Sequence, residues 1–282
     1  MSGSAEILVV GSEVLNGDVL DSNSYWLCRQ LAGEGWRVRR VTVVPDEPES
    51  IASALKDSLA RRPDLVVTSG GLGPTADDLT LGAVAAALDL EQRRHPEAYA
   101  MVRDFYTRLH ARGDVDSAEI TEARAKMADL PAAAEPLLNA VGAAPGVWLQ
   151  VGGTVVCCLP GVPAELKSIY TNALWPRVVS GKEAGFRLAR IVTTDCWDES
   201  LLAPLVDGVA ARHPRVYVKS RAQAYGRGIA AFVTLSTDGA SPEAAGALLA
   251  PALKDLLGAL LAKGITATVA DQAPVPPGGM AG

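Results

Sequence analysis

A glycine-rich stretch with acidic residues, Thr68–Thr80, has the residue types of a ligand-binding loop. The apolar run before it, 65–67, is typical of a buried parallel strand, and the apolar segment after it, 81–88, is typical of a helix. Three glycines follow the strand, and they allow positive φ and a close approach to a ligand: Gly70, Gly71 and Gly73. Because the start of a helix offers unpaired N–H groups and the positive end of its dipole, the sequence predicts an anion site here.

Two adjacent carboxylates, Asp77 and Asp78, lie in the same loop. Thr75 and Asp78 match the S/T-x-x-D/E signature of a helix start. Carboxylates repel a phosphate group, and a divalent cation such as Mg²⁺ between them would remove that repulsion. The alternative is that the glycines form a tight turn and the aspartates only cap the helix.

Two familiar phosphate-binding loops are excluded by the residues that follow. A Walker A loop requires Gly-Lys-Ser/Thr, which is missing. Residues 71–76 match G-x-G-x-x-A, but the acidic residue expected about twenty positions later, at the end of the next strand, is also missing. We predict a polar loop over 90–96 instead.

Composition limits the class of protein. The 282 residues are enough for one large domain or two modest ones, and the net charge of −6 argues against generic nucleic-acid binding. The N-terminus lacks the features of a signal peptide, and we find no apolar run that predicts a membrane span. The four cysteines form no C-x-x-C pair and are interpreted as reduced thiols, so we expect a cytoplasmic protein.

Strands alternate with helices through residues 6–89, which predicts a parallel sheet with right-handed crossovers. The expected strands are 6–10, 36–44 and 65–67, and the expected helices begin at Ser22, Pro48 and Leu81. Since ligands bind beyond the carboxyl ends of such strands, the loops that begin at Gly11 and Gly70 should share one edge of the sheet.

The remaining pattern predicts a change of architecture. We expect helical structure over 96–128, a loop over 130–136, and a hairpin of strands 147–151 and 154–159 joined by Gly152 and Gly153. A helix should begin at Pro163. After a break at 179–185, the order βαββαβ predicts a smaller ferredoxin-like domain over 186–271. Residues 1–5 and 272–282 are expected to be disordered.

Three strings together carry a family resemblance. They are residues 11–17 (GSEVLNG) with Asp21-Ser22-Asn23, the loop 68–80, and residues 139–146 (NAVGAAPG) with residues 159–167 (LPGVPAELK). In order and spacing they resemble the N-terminal portion of the competence/damage-inducible protein A (CinA) family, a molybdopterin-binding-like domain related to MoaB, MogA and MoeA/gephyrin. The resemblance covers about residues 6–180. It implies a three-layer α/β domain of MoaB/MogA type with a mainly parallel sheet, and the smaller domain after it also looks like that family.

The resemblance also implies an activity. Members that deamidate nicotinamide mononucleotide carry that activity in a further C-terminal domain, which this sequence lacks. The activity implied here is the metal-dependent hydrolysis of ADP-ribose to AMP and ribose 5-phosphate, with pterin or nucleotide binding without hydrolysis as the alternative. The family usually has Asp at the position of Ser12. This departure would weaken a metal site if that Asp were a ligand, and it leaves open an inactive, regulatory relative.

The candidate catalytic residues are Asp78, Asp77 and Glu13, of which Asp78 and Glu13 would hold the metal. Backbone amides of the glycines would bind phosphate, and the side-chain amides of Asn23 and Asn139 suit a ribose or a base. The full set of expected ligand-binding residues is Gly11, Asn23, Ser69, Gly70, Gly71, Gly73, Thr75, Asn139, Gly142, Gly161, Pro163 and Lys167.

Several of these residues have a simpler explanation that stays open. Lys167 could neutralise phosphate or be a solvated helix lysine, and Asp21 could act in the site or only cap a helix. Lys219 and Arg221 could close over a ligand, form an interface or lie on a solvated strand edge. The expected partners are a small nucleotide or pterin and a second copy of the chain in a homodimer, with no nucleic acid and no membrane.

Overall fold

A computed structural model describes residues 3–179, 186–222 and 231–270. The chain divides into two compact units: the described residues up to 179, apart from 33–35, belong to the first, and those from 186 onward belong to the second. The expected break at 179–185 and the expected tail at 272–282 lie, except for Val179, outside the described residues.

The first unit is built on a six-stranded sheet in the order β2-β1-β3-β8-β7-β6. Strands β2, β1, β3 and β8 are parallel, whereas β7 and β6 are antiparallel to their neighbours. Two further short strands, β4 and β5, pair antiparallel with each other. The strands are β1 (Ser4–Val10), β2 (Arg37–Val44), β3 (Leu65–Ser69), β4 (Gln92–Arg94), β5 (Asp129–Pro131), β6 (Glu135–Leu137), β7 (Gly146–Val151) and β8 (Thr154–Leu159).

Helices cover both faces of this sheet. They are α1 (Ser12–Leu15), α2 (Ser22–Gly33), α3 (Pro48–Ala60), α4 (Thr80–Ala87), α5 (Pro96–Arg112), α6 (Glu122–Lys126), α7 (Pro163–Ile169) and α8 (Trp175–Val179), with a π-helical turn over Tyr170–Leu174 between the last two. Alternate residues of β1 enter two separate cores: Leu8 and Val10 pack with α3, α4 and α5, whereas Ile7 and Val9 pack with α2 and α7. The unit is therefore a three-layer α/β domain with a mostly parallel sheet, as expected.

The amino-terminal end of the sheet is fastened by a buried ion pair. Glu6 in β1 is only 3% exposed, and its carboxylate accepts hydrogen bonds from Arg61 Nε at 2.8 Å, Arg61 Nη2 at 2.7 Å and Ser58 Oγ at 2.8 Å. The hydrogen bond from Arg61 is the main cause that lowers the pKa of Glu6, against the opposing effect of burial. Both carboxylate oxygens are thus paired inside the protein.

Three expectations about local structure need correction. Ser4 and Ala5, expected to be disordered, are buried residues of β1, because that strand pairs from Ser4 onward with β2. The expected loop over 90–96 contains β4, and the expected loop over 130–136 contains the end of β5 and the start of β6. These strands are only three residues long, too short for a periodic signal.

The second unit is an antiparallel sheet of order β10-β11-β9-β12 with two helices, which is the expected ferredoxin-like arrangement. Its elements are β9 (Phe186–Thr194), α9 (Glu199–Arg212), β10 (Tyr217–Ala222), β11 (Ala231–Gly239), α10 (Pro242–Ala262) and β12 (Ala267–Ala270). By length and composition alone, α10 could cross a membrane. In this unit, however, one stripe of α10 is buried in the core, with residues Ala245, Leu249, Ala252, Leu256 and Leu260.

Candidate functional site

A cavity of about 500 Å³ opens at the carboxyl ends of the parallel strands of the first unit. Strand β1 is flanked by β2 on one side and by β3 on the other, so the chain turns to opposite sides at this point, which is where open α/β sheets bind ligands. The cavity is lined by Val10, Glu13, Asp46, Gly70, Gly71, Leu72, Gly73, Pro74, Asp77, Asp78, Tyr106, Met127, Ala143, Ala144, Pro160, Gly161, Val162 and Glu165. The loops after β1 and β3 therefore meet at one edge, as predicted.

The turn after β3 requires glycine. Gly70 has φ 111° and Gly71 has φ 70°, a region that other residues rarely adopt. A Cβ atom on Gly70 would collide with the carbonyl oxygen of Val10, and one on Gly71 would collide with Thr80 Oγ1. Thr80 Oγ1 in turn donates to Gly70 O at 2.8 Å, which fixes the start of α4 against the turn.

The N–H groups of this turn fall into two sets. Gly70 N–H donates to Leu159 O at 3.0 Å, so the expectation that it binds phosphate is wrong. The next three N–H groups, of Gly71, Leu72 and Gly73, donate no hydrogen bond within the described part of the chain. Consecutive unpaired amides next to a residue of positive φ are the donors from which anion-binding nests are built, so this turn has the components of such a site.

The acidic end of the loop is a closed turn ahead of the helix. Asp78 Oδ2 accepts from Thr75 N at 2.9 Å and from Thr75 Oγ1 at 2.6 Å, and the Thr75 hydroxyl also contacts Asp77 Oδ1. Helix α4 begins only at Thr80, so the expected capping signature at Thr75 does not start a helix. The hydrogen bond from Thr75 is the main cause that lowers the pKa of Asp77, and Lys126, which donates to Thr75 O, also contributes.

Five carboxylates line the cavity and no described lining residue is basic: Glu13, Asp46, Asp77, Asp78 and Glu165. Their oxygen atoms are the ligands that Mg²⁺ prefers. Within residues 3–179, 186–222 and 231–270, however, no three acidic, histidine or cysteine side chains form a preorganised metal cluster. This donor set fits a hard cation held by one or two carboxylates together with water and ligand phosphates, which is the usual manner for Mg²⁺.

The opposite wall is organised around Asn139. Its Oδ1 accepts from the N–H groups of Val141 at 3.2 Å and Gly142 at 2.9 Å. Its Nδ2 donates to Ala144 O at 2.9 Å and to Glu165 Oε2 at 2.6 Å. Every hydrogen-bonding position of Asn139 is therefore used inside the protein, and the expectation that it binds a ribose or base directly is wrong.

Comparison with known proteins identifies the family of the first unit. Residues 6–179 match the family described as a probable molybdopterin binding domain. The chain belongs to this family. It is also CinA-like: the crystal structure of the protein CinA of unknown function from Thermoplasma acidophilum is 35% identical, with a TM-score of 0.57 over 63% of this chain and 99% of that one.

Curated relatives extend beyond that domain. A protein of Pyrococcus abyssi is 41% identical over 229 residues, which covers 81% of this chain and 89% of the relative. A protein of Aeropyrum pernix is 42% identical over 219 residues, covering 78% and 79% of the two chains. Similarity to these archaeal proteins therefore extends past residue 179.

Ser12, at the position where the family resemblance led us to expect Asp, is part of a reciprocal contact. Its N–H donates to Asp46 Oδ2 at 2.7 Å, and its hydroxyl accepts from Asp46 N at 3.2 Å. A carboxylate at position 12 would face the carboxylate of Asp46. The neutral hydroxyl instead positions Asp46 on the cavity rim, and Glu13 folds back so that Oε1 would lie 2.7 Å from a Cβ on Gly11.

Asn23 lies beside a second, smaller cavity of about 90 Å³, together with Ser69, Gly161 and Pro163. Its Nδ2 donates to Ser69 Oγ at 3.0 Å and to Gly161 O at 2.7 Å, so it joins the ends of three loops of the CinA-like domain. Asp21 Oδ1 accepts from Ser24 N at 2.9 Å, which is the contact of a helix cap.

Five expected ligand-binding residues line neither cavity: Gly11, Thr75, Asn139, Gly142 and Lys167. Lys167 is exposed, with Nζ 5.9 Å from the centre of the Trp26 ring, in agreement with the solvated alternative. Gly142 packs against the Glu165 carboxylate, and Thr75 N–H donates to Asp78 Oδ2 within the acidic turn. Lys219 and Arg221 belong to the second unit, where both are exposed on the edge strand β10.

Three cavity residues with polar side chains were missing from the sequence-based site: Asp46, Tyr106 and Glu165. Asp46 comes two residues after the end of β2, so the rule of strand carboxyl ends could have found it. Glu165 was part of a family-like string but received no role. Tyr106 lies in the middle of α5, and nothing in its neighbourhood in the sequence distinguishes it from a packing residue.

Proposed function

We propose that the cavity binds a small phosphate-bearing ligand, a molybdopterin-like pterin or a nucleotide. The observation that carries this proposal is the run of three unpaired amides at Gly71, Leu72 and Gly73, in a turn that only glycine can form. The volume of about 500 Å³ is in the range of small-molecule sites. Membership of the probable molybdopterin binding family supports a pterin as the first candidate.

A planar ring has a suitable surface in the same cavity. The Tyr106 ring lines it and is half-buried, and the Arg124 guanidinium carbon lies 3.8 Å from the centre of that ring. The cationic contact restrains the aromatic side chain. We infer that the phosphate group of the ligand binds the glycine turn while its ring contacts Tyr106.

The charge of the cavity makes a divalent cation part of the proposal. Five carboxylates around an anion site are unfavourable for a phosphate unless a cation is bound with it. Asp78 and Glu13 would hold Mg²⁺ together with the ligand phosphates and water, and Asp77 would lie beside them, since no preorganised cluster of three ligands is found in the described residues. Affinity for phosphate ligands should therefore depend on Mg²⁺.

The second candidate function is hydrolysis of the pyrophosphate of ADP-ribose, and one observation favours it. Two adjacent carboxylates, Asp77 and Asp78, line the same cavity as the unpaired amides of the glycine turn. In such a reaction a water oxygen bonds to one phosphorus, the bridging P–O bond breaks, and the water proton is released. ADP-ribose would then give AMP and ribose 5-phosphate.

Calorimetric titration of the purified protein with molybdopterin, ADP-ribose and inorganic phosphate, with Mg²⁺ and with chelator, tests both candidates. We expect Mg²⁺-dependent binding of at least one organic ligand. Absence of binding by all of them would contradict the proposal. Chromatography after incubation with ADP-ribose separates the two functions, because only a hydrolase yields AMP and ribose 5-phosphate.

We further propose a cytoplasmic homodimer. All four cysteines are free thiols, as expected in a reducing compartment. Four large apolar side chains between residues 15 and 25 are exposed, and an association surface would cover them: Leu15, Val19, Leu20 and Tyr25. Light scattering during size exclusion should give twice the mass of the chain, and a monomer would contradict this part of the proposal.

A further inference from the structure

Glu165, on the cavity wall, has surroundings unlike those of the acidic turn. It lies in the first turn of α7, is half-buried, and pairs with no cation among the described residues. Within the described residues, its one hydrogen bond is donated by Asn139 Nδ2 to Oε2 at 2.6 Å. Burial raises its pKa, and the bond from Asn139 only partly opposes that shift.

The orientation of this carboxylate is fixed by its neighbours. The amide of Asn139 cannot be reversed, because its Oδ1 must accept from two backbone N–H groups while its Nδ2 donates to Ala144 O. The backbone of Gly142 packs directly on Glu165, since a Cβ there would overlap the carboxylate. Oε2 is therefore occupied, and Oε1 has no hydrogen-bond partner in the described part of the chain.

A carboxylate can only accept hydrogen bonds, so its ligand must present donors. A 2-amino-4-oxopyrimidine ring, as in pterins and guanine, presents a ring N–H beside an amino group. Adenine presents an amino group beside a ring nitrogen that is itself an acceptor, which a carboxylate repels. We propose that Glu165 selects ligands with the 2-amino-4-oxopyrimidine edge over adenine ligands.

This inference rests on the proposed function and names its ligand class. It also predicts what a neutral amide would do. In Glu165→Gln the amide oxygen must take the place of Oε2, because Asn139 Nδ2 still donates there. The amide nitrogen then takes the place of Oε1, so the free position changes from an acceptor to a donor. That change disfavours the guanine edge and suits the ring nitrogen of adenine.

Titrations with GMP and AMP in Mg²⁺ test this, because the two ligands share the sugar phosphate and differ in the base. The wild-type protein should prefer GMP by about tenfold or more, because the free Oε1 can accept from the ring N–H of guanine, whereas the corresponding ring nitrogen of adenine is itself an acceptor. The Glu165→Gln variant should lose or reverse this preference. Glu97→Gln is the matched control, since Glu97 also lies in the first turn of a helix that begins with proline but is exposed and outside the cavity.

The outcomes separate this inference from the proposed function. If molybdopterin, ADP-ribose, GMP and AMP all fail to bind the wild-type protein, the proposed function is wrong and the inference falls with it. If GMP and AMP bind equally, or if Glu165→Gln keeps the wild-type preference, only the inference is overturned. Should the Gln variant fold poorly, Glu165→Asp, which remains an acceptor, must still favour GMP. A titration with a phosphorylated pterin then distinguishes a pterin from a guanine nucleotide.

Discussion

Glu6 and Glu165 are two shielded glutamates at opposite ends of the same sheet. At the amino-terminal end, Glu6 is paired with Arg61 and Ser58 through three hydrogen bonds, and its pKa is lowered. At the carboxyl end, Glu165 accepts one hydrogen bond from a neutral amide, and its pKa is raised by burial. The first carboxylate is satisfied by the fold, whereas the second retains an unpaired oxygen.

The difference separates what stabilises this domain from what its cavity offers to a ligand. A buried charge without a partner destabilises the folded state, so it persists where another molecule supplies the partner. Changes at the amino-terminal end should therefore lower stability and leave the affinity of folded protein unchanged. Changes at the carboxyl end should alter affinity with little loss of stability.

The largest effect on stability should come from Glu6→Gln. The variant removes the charged partner of Arg61, whose side chain is 34% exposed, and weakens the hydrogen bonds at the buried position 6, so we expect the free energy of unfolding to fall by about 2 kcal/mol. Urea denaturation measures this change. An exposed pair is the control, because Glu135→Gln, opposite Arg177, should cost less than about 1 kcal/mol. Equal losses for the two variants would contradict the structural role of Glu6.

Gly71→Ala should abolish most of the ligand binding in the cavity at the carboxyl end of the sheet. The methyl group would collide with Thr80 Oγ1 at a left-handed φ of 70°, so the amide nest cannot keep its shape. We expect affinity for phosphate ligands to fall about a hundredfold, which corresponds to about 2.7 kcal/mol. Gly152→Ala, at φ 57° with open space around it in the hairpin, should lose some stability but bind normally. Similar affinities of the two variants would argue against the nest.

Asp78→Asn tests the cation. Asparagine retains an oxygen that can accept from Thr75, so the turn should stay folded while one negative charge is lost. The Mg²⁺-dependent gain in affinity should fall about tenfold or more, because hard cations bind carboxylates far better than amides. Titrations with and without Mg²⁺ measure this gain. Asp104→Asn, on the exposed side of α5, is the control and should match the wild type.

The smallest effect, and the sharpest test of the comparison, is the pH dependence of stability. The pKa of Glu6 is lowered in the folded protein, so its contribution is present above its ordinary value of 4.5 and is lost as the pH falls through the folded pKa. The pKa of Glu165 is raised, so its contribution is present below 4.5 and is lost as the pH rises through the folded pKa.

Melting temperatures at about pH 4 and about pH 7.5 should reveal these opposite signs. Relative to the wild type, Glu6→Gln should become less stable as the pH rises, whereas Glu165→Gln should become more stable. Differences of the same sign for the two variants would mean that the two carboxyl environments are not opposite.

Periodicity in the sequence was enough to find the long elements. The apolar runs of β1 and β3 and the hairpin of β7 and β8 were predicted because each buries a continuous or alternating face. The order of elements then placed Glu13, Gly71 and Asp78 at one edge, and the structure brings all three to the same cavity. These inferences need only local pattern and the geometry of parallel sheets.

The errors concern contacts that sequence spacing does not determine. Thr75 and Asp78 have the spacing of a helix cap, but they bond to each other in a turn that ends before α4. Asn139 was expected to contact a ligand, yet its partners include Glu165, 26 residues away in the chain. The same asparagine side chain can bind a ligand or form hydrogen bonds inside the protein. Which of the two it does depends on the tertiary structure.

The backbone at the base of the cavity has a consequence for amide exchange with solvent deuterium. Gly11 N–H donates to Val44 O at 3.1 Å and Gly70 N–H to Leu159 O at 3.0 Å, so these amides should exchange only when neighbouring strands separate. The amides of Gly71, Leu72 and Gly73 have no such partner among the described residues and should exchange from the native state. Ligand binding in the cavity should thus slow amide exchange at three consecutive residues. The amides of the two adjoining strands should exchange slowly with or without the ligand.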